Sequence, residues 1–160
     1  MNTMKITSYI LTIFILWSCD YNPKSQAMDK DQIKLEVQQM FDNYHKDIAT
    51  DGLLAEFKYL DTSADFYWVP PGYDAALSYD SVETILTANA KSFQQIYFGW
   101  DTLQIFPLTA DIANYSGIVL GEMTDTAGTQ MNVSIIESGT VIRREDGWKL
   151  LSGQSATLSQ

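Results

Sequence analysis

The sequence predicts an α+β domain in which three N-terminal helices pack on a curved, mainly antiparallel sheet. Two observations support this prediction. In the first half of the chain apolar side chains recur mainly at helical spacing, whereas from about residue 100 onward they recur at every second residue. In addition, 46% of the 160 residues are hydrophobic and 12% are aromatic, which is enough for one domain with a substantial core.

The first helix is predicted to begin at Asp29 and to end at Gly52. Asp29 and Gln32 form a capping-box pattern, and a glycine can take the left-handed conformation that ends a helix. The predicted buried stripe of this helix consists of Ile33, Val37, Met40, Phe41, Tyr44 and Ile48. A shorter second helix follows, with a buried stripe of Leu53, Leu54, Phe57 and Leu60.

A short strand is predicted within residues 64–72 (ADFYWVPPG), because this segment is aromatic and β-branched and stops at two prolines. The third helix is predicted to begin near Asp80 or Ser81 and to end before Gly99. Its buried stripe consists of Val82, Ile85, Leu86, Phe93 and Ile96.

The rest of the chain contains four strand candidates, at residues 100–108, 112–123, 129–145 and 148–158. Turn residues separate them near 109–111, at 125–128 and at Asp146-Gly147, and an Asp-Gly pair between two strands is a strong hairpin signal. We therefore expect a four-strand meander.

The order of these elements over residues 29–158 resembles the nuclear transport factor 2-like (NTF2-like) superfamily, which includes ketosteroid isomerases, SnoaL-type cyclases and scytalone dehydratases. Residues 141–155 (VIRREDGWKLLSGQS) resemble the closing motif of its DUF4440 and SnoaL-like branches, in which an arginine, an Asp-Gly turn and a tryptophan precede the last strand. The resemblance implies a cone whose open mouth binds a small molecule between the sheet and the helices. It indicates a fold better than it indicates a reaction.

The pairing of the last three strands decides which side chains face into such a cone. We pair Thr124 with Thr129 and Glu145 with Trp148 across their turns. The predicted core face is then Ile118, Leu120, Val133, Ile135, Val141, Trp148 and Leu150. The polar residues predicted on this face are Asn114, Ser116, Glu122, Glu137, Arg143, Ser152 and Gln154. The outward face would carry Tyr115, Val119, Ile136, Ile142 and Leu151, which suggests a homodimer through the open face of the sheet.

Glu137 is the candidate catalytic residue. The predicted register places it opposite Ser116 and close to Gln154, where a carboxylate can bind a polar ligand group or, with a raised pKa, move a proton. A β-bulge at residues 137–139 would instead turn Glu137 to solvent, and both alternatives remain open. The aromatic candidates for ligand binding are Tyr44, Tyr67, Trp68 and Trp100.

Several classes of function lack support. The ketosteroid isomerase resemblance implies an aspartate base where this chain has Val69, and His45 is expected at the water-facing edge of its helix. No metal-ligand spacing or phosphate-binding loop is present, so we expect no cofactor and no metal. The net charge of −10 and the absence of a basic patch beyond Arg143-Arg144 make nucleic acid a poor partner.

The N-terminal residues predict the cellular location of the protein. Residues 1–18 contain one charge, Lys5, and an apolar run too short to span a bilayer. The run ends in LWSC, which resembles the bacterial lipobox with Cys19 as the lipidated residue. We therefore expect a signal peptide at 1–18, a polar tether at 19–28 and a domain lipid-anchored in the cell envelope. An ordinary secreted protein is the alternative.

Two functions remain. The first is a non-catalytic, membrane-tethered domain that binds a small apolar or amphipathic molecule. The second is a cofactor-independent acid–base enzyme, an isomerase, dehydratase or cyclase, with Glu137 as its base. A buried Glu137 with a raised pKa in an open cavity would favour the enzyme.

Overall fold

The computed structural model describes residues 28–159. The predicted signal peptide, Cys19 and the tether up to residue 27 lie outside these residues. Within them, the order of elements is α1 (Lys30–Asp51), a 3-10 helix (Leu53–Lys58), β1 (Tyr67–Val69), α2 (Tyr79–Asn89), a second 3-10 helix (Ala90–Ser92), β2 (Phe93–Pro107), β3 (Ile112–Asp125), β4 (Gln130–Arg144) and β5 (Gly147–Thr157). The predicted α+β class is confirmed. No helix in this range is long and apolar enough to cross a membrane.

The helix α1 has the predicted ends. The Asp29 carboxylate accepts a hydrogen bond of 3.0 Å from the backbone N–H of Gln32, and Gly52 ends the helix with φ +85°. The predicted second helix is instead the six-residue 3-10 helix Leu53–Lys58. Because side chains of a 3-10 helix repeat every three residues, Leu54 does not share the buried face and is 44% exposed.

The predicted third helix extends too far. The helix α2 ends at Asn89, and β2 begins at Phe93, so Phe93 and Ile96 belong to a strand. Ile96 is buried and lies opposite Met123 of β3. The spacing of Ile96 from the predicted helical stripe is compatible with a helix or a strand. Its pairing with β3 shows that it belongs to a strand.

The five strands form one sheet in the order β1-β5-β4-β3-β2. The last four strands pair antiparallel with their neighbours along the chain, as predicted, and β1 joins β5 in parallel at Tyr67 and Ser152. The helix α1 packs on the core face of this sheet, where Phe41 contacts the Tyr115 ring at a centroid distance of 4.7 Å.

The predicted face of β3 is wrong. Thr124 lies opposite Gln130 rather than Thr129, and a slip of one residue turns every side chain of a strand to the other face. Tyr115 and Val119 are therefore buried, whereas Leu120 is 49% exposed. The turn causes this register, because the Asp125 carboxylate accepts two backbone hydrogen bonds of 2.8 Å within residues 126–129 and holds all four in the loop.

The predicted face of β5 is correct only in its first half. Trp148 and Leu150 are buried as expected. Trp148 pairs with Arg143 instead of Glu145, and a shift of two residues keeps a side chain on the same face of the sheet. The pairing of β5 with β4 then skips Leu151, which is an extra residue on β5 and forms a β-bulge. This bulge places Ser152 and Gln154 on the outer face.

Candidate functional site

A cavity of about 200 Å³ lies between the core face of the sheet and the helices. Its walls come from α1, the first 3-10 helix, α2 and the strands. Eleven of its sixteen lining residues are apolar, and the polar ones are Tyr44, His45, Glu56, Asn89 and Glu137. This combination of apolar walls and a few convergent polar groups is typical of small-molecule sites.

A wider groove of about 1050 Å³ lies on another part of the surface, between α1, residues 57–63 and the hairpin of β4 and β5. Its charges largely pair with one another. Arg144 binds the buried Asp61 at 2.6 and 3.1 Å, and Lys149 binds Asp146 at 2.8 Å. Because most of its charged side chains already have ion-pair partners, the groove offers little chemistry, and the smaller cavity is the better candidate site.

Glu137 reaches the cavity from the core face of β4. The Tyr115 hydroxyl donates a hydrogen bond of 2.8 Å to its Oε1 atom. Burial raises the pKa of Glu137 to about 7, and the hydrogen bond from Tyr115 opposes this shift. The carboxyl is surrounded by protein but keeps partial exposure through the cavity. It can therefore exchange a proton with a molecule bound there.

Glu56 is a second cavity carboxyl, and it is not among the site residues predicted from the sequence. Burial raises its pKa to about 8, the Tyr44 hydroxyl lowers it, and the charge of Glu137 raises it further. The only signal in the sequence is a spacing of three residues that puts Glu56 on one face with Leu53 and Tyr59. Residues three apart share a face in an α-helix as well, but the predicted stripe took only apolar residues and left Glu56 out.

Tyr44 and His45 line the cavity from α1. Burial raises the pKa of Tyr44 well above its usual value, so it stays a neutral hydroxyl. The prediction that His45 faces water is wrong, because the side chain is 9% exposed and packs 5.7 Å from the Trp100 ring. Burial lowers the pKa of His45 to about 4, against an opposing effect of Asp42, and the ring is neutral at neutral pH.

The other predicted ligand-binding residues divide between two places. Trp68 lines the cavity, and Trp100 packs in the core against Phe41 and Tyr115. Ser116, Gln154 and Tyr67 lie on the outer face, and Tyr67 and Gln154 border a shallow polar depression there. Ser116 and Gln154 were predicted as neighbours of Glu137, and this prediction is wrong. The turn at Asp125 shifts the pairing of β3 by one residue, and the bulge at Leu151 turns the second half of β5 to the other face.

The cavity contains groups for proton transfer and hydrogen bonding. It holds two carboxyls of raised pKa, the hydroxyl of Tyr44 and a neutral imidazole. Within residues 28–159, no group of three His, Cys, Asp or Glu side chains is arranged to hold a metal ion.

Comparison with known proteins identifies the fold. No family model and no curated protein matches the sequence. A Streptomyces avermitilis protein named as a dehydratase of the NTF2-like family superposes with a TM-score of 0.69 at 16% identity, over 81% of this chain and 99% of that chain. An NTF2-like superfamily protein from Salmonella enterica gives a TM-score of 0.66 at 14% identity, over 81% and 94%.

A third solved structure is the hexachlorocyclohexane dehydrochlorinase LinA-type3 of Novosphingobium barchaimii, with a TM-score of 0.64 at 12% identity, over 82% of this chain and 90% of that chain. At these identities the likeness concerns the fold alone. The chain has the NTF2-like fold that its order of elements resembled.

Proposed function

We propose that this NTF2-like chain binds a small amphipathic molecule in its cavity and moves a proton on it without a cofactor, with Glu137 as the base. One observation carries the proposal. Glu137 points into a largely apolar cavity and is hydrogen-bonded by Tyr115, with a second carboxyl, Glu56, in the same cavity. A base acts best when its pKa lies near the working pH, and burial brings the pKa of Glu137 to about 7.

The roles of the two carboxyls follow from their pKa values. At neutral pH a large fraction of Glu137 is ionised, and its carboxylate takes a proton from an acidic C–H bond of the substrate. The electron pair of that bond moves toward an electronegative substrate atom, where negative charge develops. Glu56, with a pKa of about 8, is mostly protonated and donates a hydrogen bond to that atom. Isomerisation, dehydration and elimination can all begin in this way.

The named relatives of the fold are compatible with this class of chemistry. One is named as a dehydratase and another as a dehydrochlorinase. Both names describe eliminations, and an elimination removes a proton from the substrate. We transfer only this class of step to the present chain, since its candidate base lies on β4 and the position expected from the ketosteroid isomerase pattern is occupied by Val69.

Binding without catalysis is the second candidate. Val69 cannot act as a base, and the neutral His45 with a pKa of about 4 is a poor one. The raised pKa of Glu137 in an open cavity is the observation that separates the candidates, and it favours the enzyme.

Two further proposals concern location and assembly. We propose that lipidation of Cys19 holds the domain at a membrane of the cell envelope, supported by the apolar run and the LWSC boundary. We also propose a homodimer through the outer face of the sheet, where Tyr97, Leu120 and Ile136 are 45–49% exposed. Analytical ultracentrifugation tests the dimer, and an Ile136→Lys variant that sediments like the unchanged protein would count against it.

The enzyme proposal can be tested without knowing the substrate. The full chain is incubated in D₂O with a panel of small ketones, and mass spectrometry follows deuterium uptake at acidic C–H positions. We expect catalysed uptake that falls about 100-fold or more in Glu137→Gln, since acid–base groups typically contribute about 10²–10⁴-fold.

The matched control is Glu83→Gln on the exposed side of α2, which we expect to keep the full rate. An equal rate in Glu137→Gln would reject Glu137 as the base. If no ketone in the panel exchanged faster than in buffer, the result would favour binding without catalysis.

A further inference from the structure

We propose that the molecule bound in this cavity carries a protonated amine attached to a small apolar body. The inference rests on the proposed use of the cavity as a ligand site, but it holds whether or not a reaction follows binding. We therefore expect that carboxylates and phosphates do not bind, and that uncharged molecules bind more weakly than ammonium ions of the same shape.

The first reason is the charge of the cavity. Glu56 enters it from the 3-10 helix and Glu137 from the sheet, and none of its lining residues is lysine or arginine. The other titratable groups that face it, Tyr44 and His45, are neutral at neutral pH. Within the part of the chain that the structure describes, an ionised carboxyl here therefore has no cation beside it, and an anionic ligand would add a repulsive charge in a poorly solvated space.

The second reason is a contrast within the same molecule. Asp61 has only 4% of its side chain exposed, and Arg144 binds it through two hydrogen bonds. Glu36 likewise contacts Arg143. Both are partnered by an arginine, whereas among residues 28–159 the hydrogen-bond partners of the two cavity carboxyls are neutral hydroxyls. An ammonium ion from outside would supply the cation that these carboxyls lack.

The third reason is the shape and character of the walls. Phe66, Phe98 and Trp68 line the cavity, and the faces of aromatic rings attract cations. The Trp68 ring approaches the backbone of Gly153 so closely that a Cβ atom there would lie 2.6 Å from it. The volume of about 200 Å³ is below the roughly 300–1,000 Å³ of drug-sized sites, so the apolar body must be small.

Binding of an ammonium ion must favour the ionised carboxyls and therefore release protons. As pH rises from about 6 to 8.5, Glu137 and Glu56 lose their protons and the attraction grows. The affinity for an amine that remains protonated over this range should thus rise with pH, and the affinity for a matched alcohol should not.

The test is isothermal titration calorimetry of the full chain with three ligand shapes, benzyl, cyclohexylmethyl and butyl, each as amine, alcohol and carboxylate. For at least one shape we expect the amine to bind about tenfold or more tightly than the alcohol at pH 8, with no measurable binding of the carboxylate. The amine preference should shrink at pH 6 and disappear in Glu56→Gln/Glu137→Gln, whereas Glu83→Gln should keep it.

Three results would overturn the inference: no amine binds, a carboxylate binds as well as its amine, or the double variant keeps the preference. These results are distinct from failure of the proposed enzyme function. Glu137→Gln can abolish deuterium uptake while carboxylates bind, and amines can bind to a protein that catalyses no uptake.

Discussion

Tyr115 of β3 donates its hydroxyl hydrogen bond to Glu137 of β4 diagonally across the sheet. Tyr115 lies directly opposite Gly139, and Glu137 lies directly opposite Gly117. The two glycines have no side chains, so the Tyr115 ring can pass over Gly139 and reach the carboxylate. This relationship fixes the position of the candidate base, and it is tested by the Tyr115→Phe and Gly139→Ala variants.

The cavity carboxyls should make the protein less stable as pH rises. Both have folded-state pKa values above 4.5, about 7 for Glu137 and about 8 for Glu56, so the folded state keeps their protons longer than the unfolded state. Stability should therefore fall between pH 4.5 and about 8 and then level off. We expect the loss to be on the order of 1–3 kcal/mol per carboxyl, because their partial exposure reduces the effect.

Urea unfolding at several pH values measures this fall. Glu56→Gln/Glu137→Gln should flatten the curve over this range and be more stable than the unchanged chain at pH 8. A double variant with the same pH dependence as the unchanged chain would show that these carboxyls titrate normally.

Tyr115→Phe should raise the pKa of Glu137. The hydrogen bond from Tyr115 favours the ionised carboxylate, and a bond to a charged group contributes about 1.5–3 kcal/mol, or about one pKa unit or more. The share of the stability loss that Glu137 contributes should then move upward by about one pH unit, into the range where Glu56 titrates, so that more of the total loss occurs above pH 7. Melting temperatures from pH 5 to 9 test this, and a range that moved downward would contradict the assigned role of the bond.

Gly139→Ala should be strongly destabilising. A Cβ atom at this position would lie 2.3 Å from the backbone oxygen of Ser152 and 3.0 Å from the Tyr115 ring. Relieving such overlap typically costs about 1–3 kcal/mol. The matched control is Gly99→Ala on β2, where a Cβ atom has no neighbour within 4 Å. Thermal melts of equal midpoint for both variants would contradict the described packing of Tyr115.

Cys19→Ser should release the protein from membranes. A membrane anchor that depends on acyl chains disappears with the thiol that carries them. Fractionation of cells, together with labelling by a radioactive fatty acid, measures the effect. Tight membrane association of the variant, with no label on the unchanged protein, would reject lipidation.

The sequence predicted most elements of the fold but only part of the site. Local signals were sufficient for the cap at Asp29, the end of α1 at Gly52 and the final hairpin, because each depends on neighbouring residues. The face of β3 was wrong because the Asp125 side chain folds its turn with one residue more than assumed. Because this turn contains one more residue, every residue pair between β3 and β4 is shifted.

The missed site residues have similar causes. Glu56 was missed because only apolar residues were assigned to the buried stripe of its segment, whereas its carboxyl lines the cavity from the 3-10 helix Leu53–Lys58. His45 was expected at the edge of α1, yet β2 covers this side of the helix. Both orientations of Glu137 were left open, and it faces the core because β4 pairs with β3 without a bulge at residues 137–139, whereas the bulge lies at Leu151 of β5.

The most direct test is a carbon-13 NMR titration of glutamate carboxyls in the full chain, labelled at the side-chain carboxyl carbon. Glu56→Gln and Glu137→Gln assign the two signals by their disappearance. We expect midpoints near pH 7 for Glu137 and near pH 8 for Glu56, well above the ordinary glutamate value of 4.5 from which burial raises them. Midpoints near 4.5 for both carboxyls would contradict a cavity that holds and moves a proton at neutral pH.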